Sequence, residues 1–352
     1  IKIISIVDTV SWIIHPNEIA VSEEILETLA LKDKEIVDVQ LAEHPRSISL
    51  IKKKLKGERL EKEEIKEIIM DIADNALTEV EVAFFISAVY TKGMSLNETK
   101  YLIKAMVESG NRISLKGKIV DKHCIGGIAG NRTTPIVVSI CAATGLIMPK
   151  TSSRAITSAA GTADAIETIA RVEFSIEEIK KIIKKTNACL VWGGALGLAP
   201  VDDKIIKIER LVNIDSTPQL LASILSKKIS VGSKYVLIDI PCGKSAKVSK
   251  KQAQHLKEKF MTLGKLFGLK MAVVLTDGSE PIGNGVGPIL EIKDVINVLK
   301  RENSPKDLEE RSVYLAGVIL ELVGKAKKGK GKQMAQEILN SGKAFKKFKE
   351  II

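Results

Sequence analysis

Apolar positions along this chain follow two different periods. Between residues 44 and 110 they recur at three- and four-residue spacing. The stretches "LEKEEIKEIIMDIADN", "TEVEVAFFISAVYTKG" and "LNETKYLIKAMVESG" each predict an amphipathic helix. Thr78 with Glu81, and Ser95 with Glu98, have the spacing of capping boxes, and Gly110 is a stop signal. Three helices with short joins predict an all-α unit. Before them, residues 1–43 read as strand, loop, short helix and strand, with "EIVDVQLA" at 35–42 as the second strand. This segment is expected to be the end of a β-rich N-terminal domain.

Beyond residue 112 the period changes. "KIVDKHC" (118–124), "ACLVWGG" (188–194), "KYVLIDIP" (234–241) and "KMAVVLTDG" (270–278) are short apolar runs bounded by glycine, proline or cysteine. Helical patterns separate them, among them "RTTPIVVSICAATG" and "SIEEIKKIIKK", the latter with a Ser175–Glu178 capping box. Strands alternating with helices predict an α/β unit with a mainly parallel sheet. Residues 202–230 carry helical pattern without a strand and are expected to rejoin the N-terminal helices. The predicted organisation is a small, discontinuous all-α domain (44–112 and 202–231) and a larger α/β domain (113–201 and 232–352).

Composition narrows the classes. Hydrophobic residues make up 45% and charged residues 28% of the 352, as in soluble globular proteins. Aromatics are only 4%, so Ile, Leu, Val and Ala must build the core. No apolar run reaches the roughly 18 residues of a membrane span, and no secretory leader opens the chain. Ile1 at the start and an unfinished helix, "KKFKEII", at the end predict a fragment lacking material on both sides. Cys124, Cys141, Cys189 and Cys242 are widely spaced, which argues against a zinc site and a disulfide framework and for a cytoplasmic setting. The net charge of +11 suits anionic partners. Its densest run, "KAKKGKGK" at 325–332, has no interleaved aromatics and is expected to be a solvated loop, so neither nucleic acid nor membrane is an expected partner.

Four stretches carry candidate chemistry. "KHCIGGIAGNRTT" (122–134) has the order strand, glycine-rich turn, helix, which gathers backbone N–H groups and a helix N-terminus around one point. Lys122 can add a charge and Thr133 and Thr134 hydroxyls. Taken alone, the loop fits a plain turn as well as an anion site. "KTSSRAITSAAGTADAIE" (150–167) concentrates hydroxyls and Arg154 among small residues, a composition suited to a phosphate or sugar, with Thr162 as an N-cap in the plainer reading. In "NIDSTPQLLASILSKK" (213–228), Asp215 precedes a helix start, and Ser223 and Lys227 share a helix face at i, i+4. An acid, a hydroxyl and an ammonium can bind and protonate a heterocycle. "PCGKSAKVS" (241–249) follows a strand end and offers Lys244, Ser245 and Lys247, and "TDGSEPIGNGVGP" (276–288) is another glycine-rich loop after a strand.

In order and spacing, "VDKHCIGG", "SSRAITSAAGTADAIE", "IDSTPQLLASILSKK" and "LTDGSEPIGNGVG" resemble the thymidine/pyrimidine-nucleoside phosphorylase family over residues 44–352. Within it the chain is most similar to the archaeal AMP phosphorylases. The resemblance implies a cleft between the two domains and phosphorolysis of a nucleoside 5′-monophosphate: AMP and phosphate give adenine and ribose 1,5-bisphosphate, with CMP and UMP as further substrates. It implies that Asp215 protonates the leaving base and is protonated when nucleotide binds, its pKa raised by burial. It implies substrate contacts at Gly127, Ser153, Arg154, Ala155, Ile156, Thr157, Ser158, Thr162, Ser223 and Lys247, with Lys122 on phosphate. No metal or cofactor is implied, inorganic phosphate being a substrate. Partners are the small-molecule nucleotide and phosphate, and family members are at least dimers through helices of the α domain, which implies a homodimer or higher homo-oligomer.

The chain departs from the thymidine enzymes at two places. Cys124 and Ile125 replace two hydroxyl residues after the Lys-His pair, and Ile208 aligns with the arginine that reads pyrimidine carbonyls. Losing that donor leaves room for a purine, and the extra cations of "GKSAK" suit a 5′-phosphate. Three other readings stay open: a phosphorylase of unphosphorylated nucleosides, a phosphoribosyltransferase of the anthranilate type, and a non-catalytic nucleotide-binding protein. The second needs pyrophosphate and magnesium, and no acidic metal motif stands beside the glycine loop.

Overall fold

The computed structural model of the chain describes residues 3–5, 7, 14–41, 43–155 and 159–352, and structural statements concern those residues. The first helix, α1 (Glu23–Leu29), is followed by residues 31–41 without a strand. The expected strand at 35–42 is therefore not formed over its described residues. Ile36, Val39 and Leu41 face solvent, and a strand without a ladder partner has nothing to satisfy its backbone.

The all-α unit has four consecutive helices rather than three: α2 (Ser47–Leu55), α3 (Lys62–Ala73), α4 (Glu79–Lys92) and α5 (Leu96–Glu108). Both predicted capping boxes are present, with the Thr78 and Ser95 hydroxyls accepting from the Glu81 and Glu98 N–H groups. Glu98 is also buried, where it accepts from Lys54 Nζ at 2.7 Å and Leu60 N–H at 3.1 Å and ties α2 to α5.

The α/β unit continues with β1 (Val120–Cys124), α6 (Thr133–Ala143), β2 (Met148–Ser152), α7 (Thr162–Glu167), α8 (Ile176–Thr186) and β3 (Ala188–Trp192). Next, α9 (Pro200–Val212) and α10 (Thr217–Ser230) leave the sheet and pack against α3, α4 and α5. The chain then returns as β4 (Tyr235–Cys242), α11 (Lys250–Leu266), β5 (Lys270–Asp277), α12 (Pro288–Lys300), α13 (Lys306–Leu322), α14 (Gly331–Asn340) and α15 (Lys343–Ile351). The basic run at 325–332 falls between α13 and α14 as expected, apart from the first residues of α14.

All strand pairs among the described residues are parallel: β1 pairs with β4, β4 with β5, and β2 with β3. A single bridge, Ile119 to Ile147, joins β1 to β2 at their starts, giving the order β3-β2-β1-β4-β5 with a split between β2 and β1. Strand β2 was not evident in the sequence, because "MPKTS" is largely buried although three of its five residues are polar. Successive β4 residues alternate between two cores. Val236, Ile238 and Ile240 join the helical-bundle core with Ile205, Leu225 and Phe260, while Leu237 joins Ile136, Val295 and Ile319 on the opposite face. The bundle is thus continuous with one face of the sheet.

From β1 the chain runs through α6 to β2 on one side. From β4 it runs through α11 to β5 on the other. The loops after β1 and β4 therefore part over a crevice at the carboxyl ends of the strands, where ligands bind in open parallel sheets.

Candidate active site

Two loops meet across that crevice. Gly127 has φ +87°, and a Cβ there would lie 2.8 Å from Lys247 Cβ and 2.9 Å from the Lys247 amide nitrogen. The close approach that a glycine permits at 127 is thus to the β4–α11 loop. From that loop Lys247 pairs with Asp215, which stands before the α10 N-cap Ser216. One ion pair so connects the two halves of the crevice. Lys244 and Ser245 are on the same loop, and of its three candidate contacts Lys247 is the one that reaches the cleft.

Below the glycine loop lies a cluster of cations. Lys122 is buried on β1 and its Nζ donates to Thr133 Oγ1 at 2.8 Å and Thr134 Oγ1 at 3.3 Å, which fixes the start of α6. In the split between β1 and β2, buried Asp121 faces Lys228 of α10 at 2.8 Å and Lys150 of β2 at 3.9 Å. Burial, then the neighbouring Lys228, lowers the Lys150 pKa to about 7. His123 is surrounded by Lys228, Lys150, Lys122 and Lys227, and burial together with these charges lowers its pKa well below the ordinary value, so its ring is neutral. Cations in excess of carboxylates, most of them buried, suit an anion of more than one charge. Ser152, at the end of β2, has a buried hydroxyl without a hydrogen-bond partner among the described residues.

On the helical side, Ser223 Oγ donates to Asp202 Oδ2 at 2.8 Å and Lys227 Nζ lies 2.6 Å from the same oxygen. Burial opposes the Lys227 charge, but Asp202 and then Asp203 outweigh it and raise the pKa. Two turns along α9 stands Glu209. Burial, reinforced by the charges of Asp215 and Asp202, raises its pKa to about 8. Ile208 lies in the bundle core, so the position of α9 that faces the cleft beside the acid is 209. Ile208, the position expected to align with the pyrimidine-reading arginine, thus presents an apolar side chain to the bundle core.

The 153–162 stretch forms the third wall. Arg154 is held by Glu167, by Glu173 at 3.0 Å and by Asp164 at 3.3 Å, and its guanidinium lies 4.8 Å from the Trp192 ring centroid. It is thus engaged with carboxylates rather than open to a ligand. Ser153 is exposed, Ala155 N–H donates to Asp164 Oδ2 at 2.7 Å, and Ile156, Thr157 and Ser158 lie outside the described residues. Helix α7 begins at Thr162 with Gly161 as its N-cap, so Thr162 is not the cap itself. The Thr162 hydroxyl accepts from Arg132 at 3.3 Å. Buried Arg132 also donates to Glu291 and to the Ala160 carbonyl, fastening three loops to one another.

The structure brings Asp215, Lys247 and Gly127 together at the crevice, Ser223 and Lys227 together on Asp202, and Lys122 to the cation cluster. The expected burial of Asp215 is not found, since 47% of its side chain is exposed. The buried acid is Glu209. Sequence reading missed Asp121, Arg132, His123, Lys150, Asp202, Glu209 and Lys228. Adjacent Lys227–Lys228 at the end of an apolar helix was the available signal for one of them.

This two-part build has known counterparts. Residues 48–110 match the helical bundle domain, and residues 116–345 the a/b domain, of a glycosyl transferase family. The chain belongs to that family. It is 48% identical to the AMP phosphorylase of Pyrococcus furiosus, over 97% of this chain and 68% of that one. It is 48% identical to the AMP phosphorylase of Thermococcus kodakarensis, with the same coverage. The enzyme of that name from Methanocaldococcus jannaschii is 44% identical over 100% of this chain and 70% of its own. Among solved structures, the anthranilate phosphoribosyltransferase of Thermus thermophilus superposes with a TM-score of 0.69 at 19% identity, covering 85% of this chain and 97% of that one, a likeness of fold.

Proposed function

We propose that this chain is a pentosyltransferase that phosphorolyses AMP to adenine and ribose 1,5-bisphosphate. The observation that carries the reading is the 43–48% identity to AMP phosphorylases over nearly the whole chain. The site supports it. Inorganic phosphate binds over the cation cluster and its oxygen attacks C1′, while Asp215, reached across the crevice by Lys247, supplies a proton to the departing base. Ser223 and Lys227, joined by Asp202, line the base side. CMP and UMP belong to the proposed substrate range. We further infer a homo-oligomer, supported by the exposed Val80, Phe84 and Tyr90 on the outside of α4, and a cytoplasmic setting, supported by four free cysteines. No described helix is long and apolar enough to cross a membrane.

The test is phosphate-dependent base release from AMP, CMP, UMP, adenosine and thymidine. The expected outcome is cleavage of AMP only with phosphate and poor use of adenosine. Asp215→Asn should lower kcat by about 10²–10⁴, the usual contribution of a general acid. Faster cleavage of thymidine or adenosine than of AMP would replace the nucleotide reading with a nucleoside one, and absence of any release would favour a binding protein.

A further inference from the structure

Glu209 has no role in the phosphorolysis outlined above, yet its surroundings are unusual. Its Oε1 is buried and has no hydrogen-bond partner among the described residues, and the same is true of Asp202 Oδ1 on the same face of α9. The charged groups around Glu209 are Asp215 in the turn to α10, Asp202 on its own helix and Lys247 from the β4–α11 loop. Lys227 of α10 is taken up by Asp202. Of the other cations of α9, Lys204 reaches the end of α3, Lys207 pairs with Glu79 of α4, and Arg210 is exposed. Among the described groups facing Glu209 only Lys247 is cationic, and it is already paired with Asp215. A carboxyl so placed, with an unpartnered buried oxygen and carboxylates nearby, keeps its proton near neutral pH. Its pKa of about 8 agrees with this.

Resting on the phosphorolysis reading, we propose that Glu209 is a positioning residue that stores the proton Asp215 delivers, with Lys247 governing the transfer. Lys247 pairs with Asp215 and the proton resides on Glu209. Bound phosphate draws the Lys247 ammonium away from Asp215. The carboxylate left without its cation then takes the proton from Glu209, directly or through one water. As the bond from C1′ to the base nitrogen breaks and the bond from phosphate oxygen to C1′ forms, Asp215 passes that proton to the base. Monohydrogen phosphate loses its own proton on becoming an ester, and this proton restores Glu209.

The experiment is the pH dependence of kcat, at saturating AMP and phosphate, for the full protein, Glu209→Gln and Glu209→Asp. In the wild type the alkaline limb should fall near pH 8. Glutamine keeps the shape but cannot titrate, so Asp215 must then hold the proton unaided against Lys247. The limb should move at least one pH unit lower, and kcat at pH 8 should fall about tenfold or more. The KM for AMP should change less than about threefold, and aspartate should return the limb toward pH 8. A glutamine variant whose limb coincides with the wild type, or an aspartate variant that behaves like glutamine, overturns the proposal. A wild-type enzyme without phosphate-dependent base release instead overturns the underlying reading.

Discussion

Replacing Asp121 by Asn tests the charge balance of the cation cluster. Asp121 is fully buried, and its partner Lys228 is 2% exposed at 2.8 Å, with Lys150 6% exposed at 3.9 Å. Exposed ion pairs contribute about 0–1 kcal/mol, but removing one member of a buried pair leaves an uncompensated charge and costs about 3–5 kcal/mol. Lys150 softens the loss. With a pKa of about 7 already, and its attraction to Asp121 gone, it sheds its proton at neutral pH. The expected destabilisation therefore lies near the lower end, about 3 kcal/mol, read from urea unfolding at pH 7. Inorganic phosphate supplies the missing anion. A ligand at one hundred times its dissociation constant stabilises by about 2.7 kcal/mol, and at equal phosphate concentration the variant should gain more than the wild type, since no carboxylate competes for Lys228. A variant within about 1 kcal/mol of the wild type, or a smaller phosphate increment in the variant, would refute the assignment of this cluster as an anion site held open by Asp121.

Other expectations follow from single residues. Gly127→Ala places a side chain at positive φ and against the Lys247 backbone, so it should cost about 1–3 kcal/mol in strain and raise the KM for phosphate at least tenfold, measured by phosphate titration of AMP cleavage. Glu209→Gln should affect stability in a pH-dependent way. The native carboxyl, with its pKa at about 8, retains a proton that the unfolded chain loses near 4.5. Wild-type stability therefore falls as pH rises from 4.5 to about 8 and levels off above. Glutamine removes that slope, with a ceiling of about 5 kcal/mol at about 1.36 kcal/mol per pH unit and an expected gain of about 1–3 kcal/mol at about pH 8, checked by urea unfolding across that range. Phe84→Glu on the outer face of α4 should lower the oligomeric state in sedimentation without changing the circular dichroism. An unchanged mass would place the subunit contact elsewhere.

Local signals were legible in the sequence and distant ones were not. Thr78, Ser95 and Ser175 announce helix starts because a capping box is an i, i+3 arrangement contained in four residues. The loops after β1 and β4 announce themselves by glycine beside an apolar run. Strand β2 did not, since the polar residues Lys150 and Thr151 are buried in it, which defeats a hydrophobic pattern. The burial of Ile208 was recoverable from the periodicity of α9. Val201, Ile205 and Ile208 form one buried stripe of α9, while Asp202 and Glu209, seven residues apart, lie on another. The partnership of Asp121, Lys150 and Lys228 was out of reach, because it joins β1, β2 and α10 through the fold alone.

The position of α10 explains why the site needs both parts of the molecule. Asp215, just before its N-cap, pairs with Lys247 of the sheet's loop, Ser223 in its middle and Lys227 in its last turn meet Asp202 of α9, and Lys228, also in the last turn, pairs with Asp121 of β1. One helix of the bundle therefore carries the acid, the base side and a cation of the anion site. Its apolar residues Leu221, Ile224 and Leu225 set the spacing among them by packing in the bundle core. The loop that carries Lys247 also packs against Gly127, so the cation paired with the acid stands beside the glycine loop of the proposed phosphate site, which gives the proton transfer from Glu209 a structural reason to wait for phosphate.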